Sequence, residues 1–254
     1  MLTDTHCHLA DPAFRDDLPE TLAAATHAGV NRFIVPATCR DDFDAVLALA
    51  EHPAIHTAVG IHPWFADTAA VSDLAVLDSL LGQHAAVLVG EIGLDFHHNQ
   101  PSETQRARQT EIFTAQLRLA ERHRRPVVLH NLKATAAIAA AIRATGFTQG
   151  GIAHAFSGSL EEAEALTRCG LFIGIGSLLL NPNAKKAHRA AAELPLEHIV
   201  LETDSPFMLK NAINTPANVR KIAEIMAQLR GVSWQHIAKQ TEANTTRLLS
   251  FQTA

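Results

Sequence analysis

The sequence predicts one (β/α)8 TIM barrel, an α/β fold occupying residues 1–254 as a single domain. Three observations predict it. Eight short apolar runs alternate with helical stretches, the signature of repeated β-α units. Several runs, such as Val87-Leu88-Val89 and Val127-Val128-Leu129, are apolar without alternation, as strands buried on both faces of a parallel sheet are. The chain has 254 residues, close to the roughly 250 of such a barrel, and no linker or shift in composition divides it. The competing architecture is a doubly wound open sheet. No Gly-x-Gly-x-x-Gly follows the first strand, which weighs against a nucleotide-binding form of that alternative.

The elements follow in order. A first strand covers residues 2–6, and a helix over 20–28 ends at Gly29. A strand at 32–37 precedes a helix at 41–50, and a strand at 56–61 precedes a helix at 72–81. The fourth strand, 86–92, leads to the longest helix, 102–124. Ser102 and Glu103 start that helix after Pro101, Ile112, Phe113, Ala115, Leu119 and Ala120 track one broad face, and Pro126 stops it. The fifth strand, 126–130, is followed by a helix at 134–144 with Gly146 behind it, and the sixth, 151–154, by a helix at 160–168 with Gly170 behind it. The seventh strand, 171–176, precedes a helix at 183–192. The eighth, 199–203, precedes helices at 216–229, ended by Gly231, and at 234–249, with Ser233 as N-cap.

Composition narrows the function. Hydrophobic residues make up 47% of the chain, enough for a sizeable core. The net charge is −5 with only 21 Lys and Arg, so the basic footprint of a stoichiometric duplex-binding protein is missing. An enzyme that visits a phosphate substrate stays open, because metal ions can carry the positive charge. Three scattered cysteines, Cys7, Cys39 and Cys169, form neither a disulfide framework nor a zinc-knuckle spacing and read as free thiols in a reducing cytosol. No apolar leader precedes the first strand, and no apolar run nears the ~20 residues that span a bilayer. These points predict a cytoplasmic protein without a membrane segment, monomeric by default.

Chemistry collects where barrel enzymes keep it, at the C-terminal ends of the strands. The first strand ends in His6-Cys7-His8. Alternate residues share a face, so His6 and His8 point together while Cys7 points away. With 15 histidines, roughly one such pair arises by chance, so it gains meaning only from what later strands add. The fourth strand ends in Glu91 and Asp95, the fifth in His130, the sixth in His154, and the eighth in Glu202-Thr203-Asp204. Five of eight strands thus deliver imidazole or carboxylate to one rim. That set is too large for one tetrahedral ion with an open position and suits two divalent ions bridged by a carboxylate, with Glu91 as the natural bridge. Ligation by His and carboxylate without thiolate allows Zn2+, Mn2+, Co2+ or Mg2+.

These residues sit in stretches that resemble one family nearly end to end. Asp4-Thr5-His6-Cys7-His8, Gly60-Ile61-His62-Pro63, Gly90-Glu91-Ile92-Gly93-Leu94-Asp95, the Val-Val-Leu-His ending at His130, His154-Ala155-Phe156-Ser157-Gly158 and Glu202-Thr203-Asp204-Ser205-Pro206 are together similar to the TatD family of metal-dependent hydrolases. The resemblance implies that His6, His8, Glu91, His130, His154 and Asp204 bind two divalent metal ions and that the reaction is phosphodiester hydrolysis, often as a deoxyribonuclease on DNA. The sequence departs from the family at Ala10, at Asn131-Leu132-Lys133 after the fifth-strand histidine, and at Asn214-Thr215-Pro216. All three lie outside the metal set and bear on substrate contacts.

The mechanism expected from this set has a metal-bridged hydroxide attacking phosphorus in line with the leaving oxygen. Asp204, with Glu91 as the bridge, is its catalytic residue, orienting the hydroxide and accepting its proton. His62 or Lys133 helps hold the non-bridging oxygens, and Asp4 orients a ligand imidazole. Plainer roles suit several neighbours. His62 is divided between substrate contact and loop packing, Trp64 is read as capping the core in preference to stacking on a base, and Asp95 as holding its own loop. His97 and His98 read as solvated, and the run Arg122-His123-Arg124-Arg125 as a helix end suited to the dipole. Two other functions compete: an amidohydrolase-type enzyme opening a lactone, ester or amide, and a metal-binding protein without turnover.

Overall fold

The computed structural model describes residues 1–250, and the last four of the expected domain lie outside them. Eight strands, β1 (Leu2–Asp4), β2 (Val30–Pro36), β3 (Ile55–Val59), β4 (Leu88–Asp95), β5 (Val127–Leu132), β6 (Gly151–Ala153), β7 (Leu171–Ile175) and β8 (Ile199–Leu201), pair in sequence order as one sheet. Every paired neighbour is parallel. The sheet closes on itself: Thr5 N–H donates to the Leu201 carbonyl at 2.9 Å and Asp204 N–H to the His6 carbonyl at 2.8 Å. The helices between the strands are α1 (Leu18–His27), α2 (Phe43–Ala48), α3 (Val71–Gln83), α4 (Glu103–Arg122), α5 (Thr135–Thr145), α6 (Leu160–Thr167) and α7 (Lys185–Glu193), and α8 (Asn218–Arg230) and α9 (Trp234–Leu249) follow the last strand. The fold is the expected (β/α)8 barrel. No helix among the described residues is long and apolar enough to cross a membrane.

Local chemistry sets the ends of these elements. Ser102 caps α4 by accepting from Gln105 N–H while the Gln105 side chain returns the bond, and Ser233 caps α9 by accepting from His236 N–H. Gly146 and Gly231 close α5 and α8 in the left-handed conformation that a side chain resists. Two elements are shorter than the sequence suggests. The helix expected over 41–50 is α-helical only in α2, with 3-10 turns on either side. β1 stops at Asp4, yet the backbone beyond it stays tied to both neighbours, Thr5 to β8 and Cys7 N–H to the Ile34 carbonyl at 3.1 Å. The two histidines that follow therefore sit on an anchored extension of the strand.

Two apolar layers form. The outer one lies between sheet and helices. The inner one takes a single residue from each of β2 to β8: Ile34, Ala58, Leu88, Val128, Ile152, Phe172 and Val200. Helix α9 closes the N-terminal mouth, with Leu248 and Leu249 in this inner layer and Glu242 bound to Thr3 and Arg32. Side chains two positions further along share the inward face. His130 thus stands above Val128, His154 above Ile152 and Glu202 above Val200, so one period-2 pattern builds the barrel's floor and then lines its opposite mouth. Leu88 has no exposed surface in that floor. Leu88→Ala is expected to lower unfolding free energy by about 2–5 kcal/mol, measured by urea denaturation.

Candidate metal centre

The carboxylate of Glu91, 3% exposed, is the hub of the upper mouth. Its Oε2 lies 3.3 Å from His6 Nε2 and 3.8 Å from His8 Nε2. Its Oε1 lies 2.8 Å from His154 Nε2, 3.2 Å from His130 Nδ1 and 3.3 Å from His62 Nε2. The two oxygens thus serve different histidines, one the pair from the first strand, the other those of the third to sixth. Asp204 joins the first group, with Oδ1 3.5 Å from His6 Nε2 and 3.4 Å from His8 Nε2. Within each group imidazole nitrogens face one another, His6 Nε2 to His8 Nε2 at 3.1 Å and His130 Nδ1 to His154 Nε2 at 3.3 Å.

Strand parity alone does not put Glu91 there. Leu88 faces inward, so Gly90 and Ile92 should follow it. Instead Ile92 packs in the outer core, and the pairing of β4 with β5 shifts register between Val89 and Ile92. That irregularity re-aims Glu91 to the inside. Two further strand repeats carry Asp95 to the same face. Asp95 Oδ1 accepts from His97 N–H at 2.9 Å and His98 N–H at 2.7 Å, the loop-holding role read from sequence. Its Oδ2 does more. It accepts from the Trp64 indole N–H at 2.8 Å and lies 3.1 Å from His130 Nε2. A proton on that Nε2 leaves Nδ1 as a lone pair aimed at the cluster. Burial would raise the Asp95 carboxyl, but bonds from His130, His98, His97 and Trp64 outweigh it and hold it well below the usual carboxylate range.

Orientation of an imidazole was expected of Asp4, and here the structure corrects the sequence. Asp4 Oδ1 accepts from His6 N–H at 3.3 Å and Thr203 N–H at 2.9 Å, and Oδ2 from the Thr203 hydroxyl at 2.5 Å. It holds backbone, not a ring. The Thr203 carbonyl accepts from Ser177 Oγ at 2.8 Å and from buried Asn214 Nδ2 at 2.9 Å. This clamp precedes Asp204, whose φ of 57° is costly for any residue but glycine.

Glu202, with no exposed surface, lies beneath His154. Its Oε1 is 3.9 Å from His154 Nδ1 and accepts from Ala155 N–H. A Cβ on Gly174 would stand 2.3 Å from Glu202 Oε2, so β7 is bare there to admit this carboxyl. Burial pushes Glu202 up to about 8. The contacts of Asp95 with His130 and Trp64 and the place of Glu202 beneath His154 are what the sequence reading missed, and period-2 counting from Glu91 and Val200 would have put both carboxyls on the inner face.

The remaining expected residues divide. His62 is buried, and its Nδ1 accepts from Trp64 N–H at 3.2 Å, which places its own proton on Nε2. That nitrogen is a donor toward Glu91 or a substrate rather than a metal ligand. Lys133 is not brought into the cavity; it is exposed on the left-handed turn after β5. Trp64 does not cap the core. It is 55% exposed, stacked on His98 at 4.2 Å, because its indole N–H is drawn to Asp95 at the rim. Cys7 is buried with Sγ toward the Ile34 carbonyl, away from the cluster.

The donors fit a divalent cation. Their nitrogens and oxygens fall into three groups, His6-Glu91-His154, His6-His8-Asp204 and His62-Glu91-His130, each with atoms within 4.8 Å of one another. Two of these groups need no donor from His62. The ring nitrogens that face inward, His6 Nε2 with His8 Nε2 and His130 Nδ1 with His154 Nε2, stand close together beside the Glu91 carboxylate, a set of nitrogen and anionic oxygen donors that suits a divalent ion. Burial drives His6 down to about 4, so its ring is neutral and ready to coordinate. Burial opposes charge on His154 as well, but Glu91, Glu202 and Asp204 outweigh it and push this ring up to about 10.

The family model described as TatD related DNase matches residues 3–250. The chain is 36% identical to the metal-dependent hydrolase YjjV of Escherichia coli K12 over 97% of both chains. The crystal structure of that protein superposes with a TM-score of 0.90 over 97% of each chain. Identity is 32% with the 3'-5' ssDNA/RNA exonuclease TatD of Edwardsiella piscicida, covering 97% of this chain and 98% of that one. It is 29% with the human deoxyribonuclease TATDN3, covering 97% and 94%.

Two outcomes are expected. A cation must displace the proton that His154 holds at neutral pH, so metal binding releases protons and affinity rises with pH up to the region of that pKa. Each proton displaced makes affinity fall about tenfold per pH unit on acidification, read by chelator competition between pH 6 and 8. Asp95→Asn is expected to weaken metal binding about 10- to 100-fold with little change in far-UV circular dichroism.

Proposed function

The chain belongs to the TatD family of metal-dependent hydrolases, and from that premise we propose that it hydrolyses phosphodiester bonds, acting as a deoxyribonuclease at DNA ends. His6, His8, Glu91, His130, His154 and Asp204 would hold two divalent ions, zinc, manganese or magnesium. The observation that carries this reading is the division of Glu91, with Oε2 toward His6 and His8 and Oε1 toward His130 and His154. Once bound, the ions supply Lewis acidity and make a water nucleophilic near neutral pH.

The protein's own groups do the rest. Asp204 reaches the cavity with 15% of its side chain exposed, where it orients the attacking water and takes its proton. Burial would raise its carboxyl, but His8, His6 and His154 outweigh that and keep it ionised, the form a base needs. His62 donates its Nε2 proton to a non-bridging phosphate oxygen, and the Trp64 N–H bond at Nδ1 fixes that tautomer. Asp95 holds His130 through the bond at Nε2, so that ring does not turn as charge develops. The three free cysteines support a reducing, cytoplasmic setting.

Metal-loaded protein is expected to cleave single-stranded DNA and bis-p-nitrophenyl phosphate, with His130→Ala and Asp204→Asn each lowering kcat by about 100- to 10,000-fold. A folded, metal-loaded preparation that spares both substrates contradicts the proposal. Opening of lactones or amides with the same residue dependence would replace it with the carbonyl-hydrolase reading.

A further inference from the structure

The cavity above the ligand cluster measures about 580 Å³, and its walls are chemically lopsided. No lysine or arginine lines it. Yet Trp64, Phe65, Phe207 and Met208 line it while 55%, 38%, 50% and 40% exposed. Four of the nine most exposed large apolar side chains among the described residues therefore gather at this one mouth. Exposed apolar surface gathered at a polar centre marks a binding site.

These rings are positioned rather than loose. The Trp64 indole is tied to Asp95, lies against His98 and meets the His62 ring edge-on at 4.9 Å. Phe207, from the loop after β8, meets the His8 ring at 5.6 Å. Aromatic faces thus come from two separate loops, each one ring away from a residue of the cluster. A flat, unstacked base has the π surface they match, and such stacking tolerates any base. A polyanionic backbone, in contrast, needs a lysine or arginine at each phosphate it neutralises. Lys133 and Lys210 are exposed on nearby loops and do not line the cavity.

We infer that the cavity is a nucleotide subsite that takes one unpaired base on Trp64, with Phe207 and Met208 as the second apolar wall, so that recognition spans one base and one phosphate and not the length of a strand. This rests on the phosphodiesterase reading above. It makes the substrate class dinucleotides, short oligonucleotides and frayed single-stranded ends alike, cleaved with similar efficiency.

The test compares deoxyadenosine 5'-monophosphate with deoxyribose 5-phosphate on the metal-loaded protein, by calorimetry and by quenching of Trp64 fluorescence. The nucleotide is expected to bind at least about tenfold tighter, the contribution of one stacked base. Trp64→Leu is expected to erase that preference when set against Trp64→Phe, since both variants lose the indole bond to Asp95 and differ only in the ring. Trp64→Phe, which loses the same indole N–H but keeps a ring, retains most of it. Values of kcat/KM for a dinucleotide and a twenty-nucleotide strand are expected to agree within a few fold. Equal affinity of the two ligands for the wild type, a preference that survives Trp64→Leu, or kcat/KM that climbs with strand length and collapses with salt overturns the inference. A base preference without any hydrolysis upholds the subsite and rejects only the reaction; hydrolysis without a base preference does the reverse.

Discussion

A carboxylate with almost no exposed surface, Glu91, sits among five imidazoles and holds a different set of them with each oxygen. Burying such a charge costs several kcal/mol unless positive charge meets it. Burial would raise Glu91, but His154, His62 and His6 outweigh it and hold its carboxyl well below the ordinary range. No arginine or lysine approaches it among the described ion pairs. A protonated imidazole in the empty chain, or a cation in the loaded one, is the compensation this arrangement accepts. The barrel, the ligand pairs and the backing carboxyls all follow from keeping that one group buried and ionised.

The supports are ranked outward from it. Asp95 fixes His130 by taking the proton on Nε2, and in the same bonds pins Trp64 at the rim and closes the turn through His97 and His98. Glu202 fills the space that Gly174 leaves beneath His154. On the opposite side Asp4, Ser177 and Asn214 converge on Thr203 and hold Asp204 in its left-handed conformation. These contacts join residues up to 199 apart in sequence, so the centre forms only when the barrel closes.

The fold was legible because its signal is local. Unalternating runs such as Val127-Val128-Leu129 and caps such as Ser102 and Ser233 act within a few residues, and the structure keeps them. His130 and His154 were legible for the same reason, each standing two residues beyond an inward apolar one. Glu91 was legible from its place at the end of the fourth strand but not by counting, since a register shift in β4 breaks the parity that should have turned it outward. Trp64 was misjudged, and Asp95 read only in part, because their further meaning comes from each other and from His130, brought together by tertiary structure alone. Lys133 looked useful from its place after His130, but it is exposed on the turn after β5 and does not line the cavity.

The central claim is that Glu91 divides one carboxylate between two cations. The direct measurement is the anomalous-difference map of crystals grown with manganese or zinc, recorded at the metal edge. The account predicts two peaks, one bounded by His6, His8 and Asp204 and the other by His130 and His154, with Glu91 touching both. A single peak, or two peaks that leave Glu91 unbound, would contradict it.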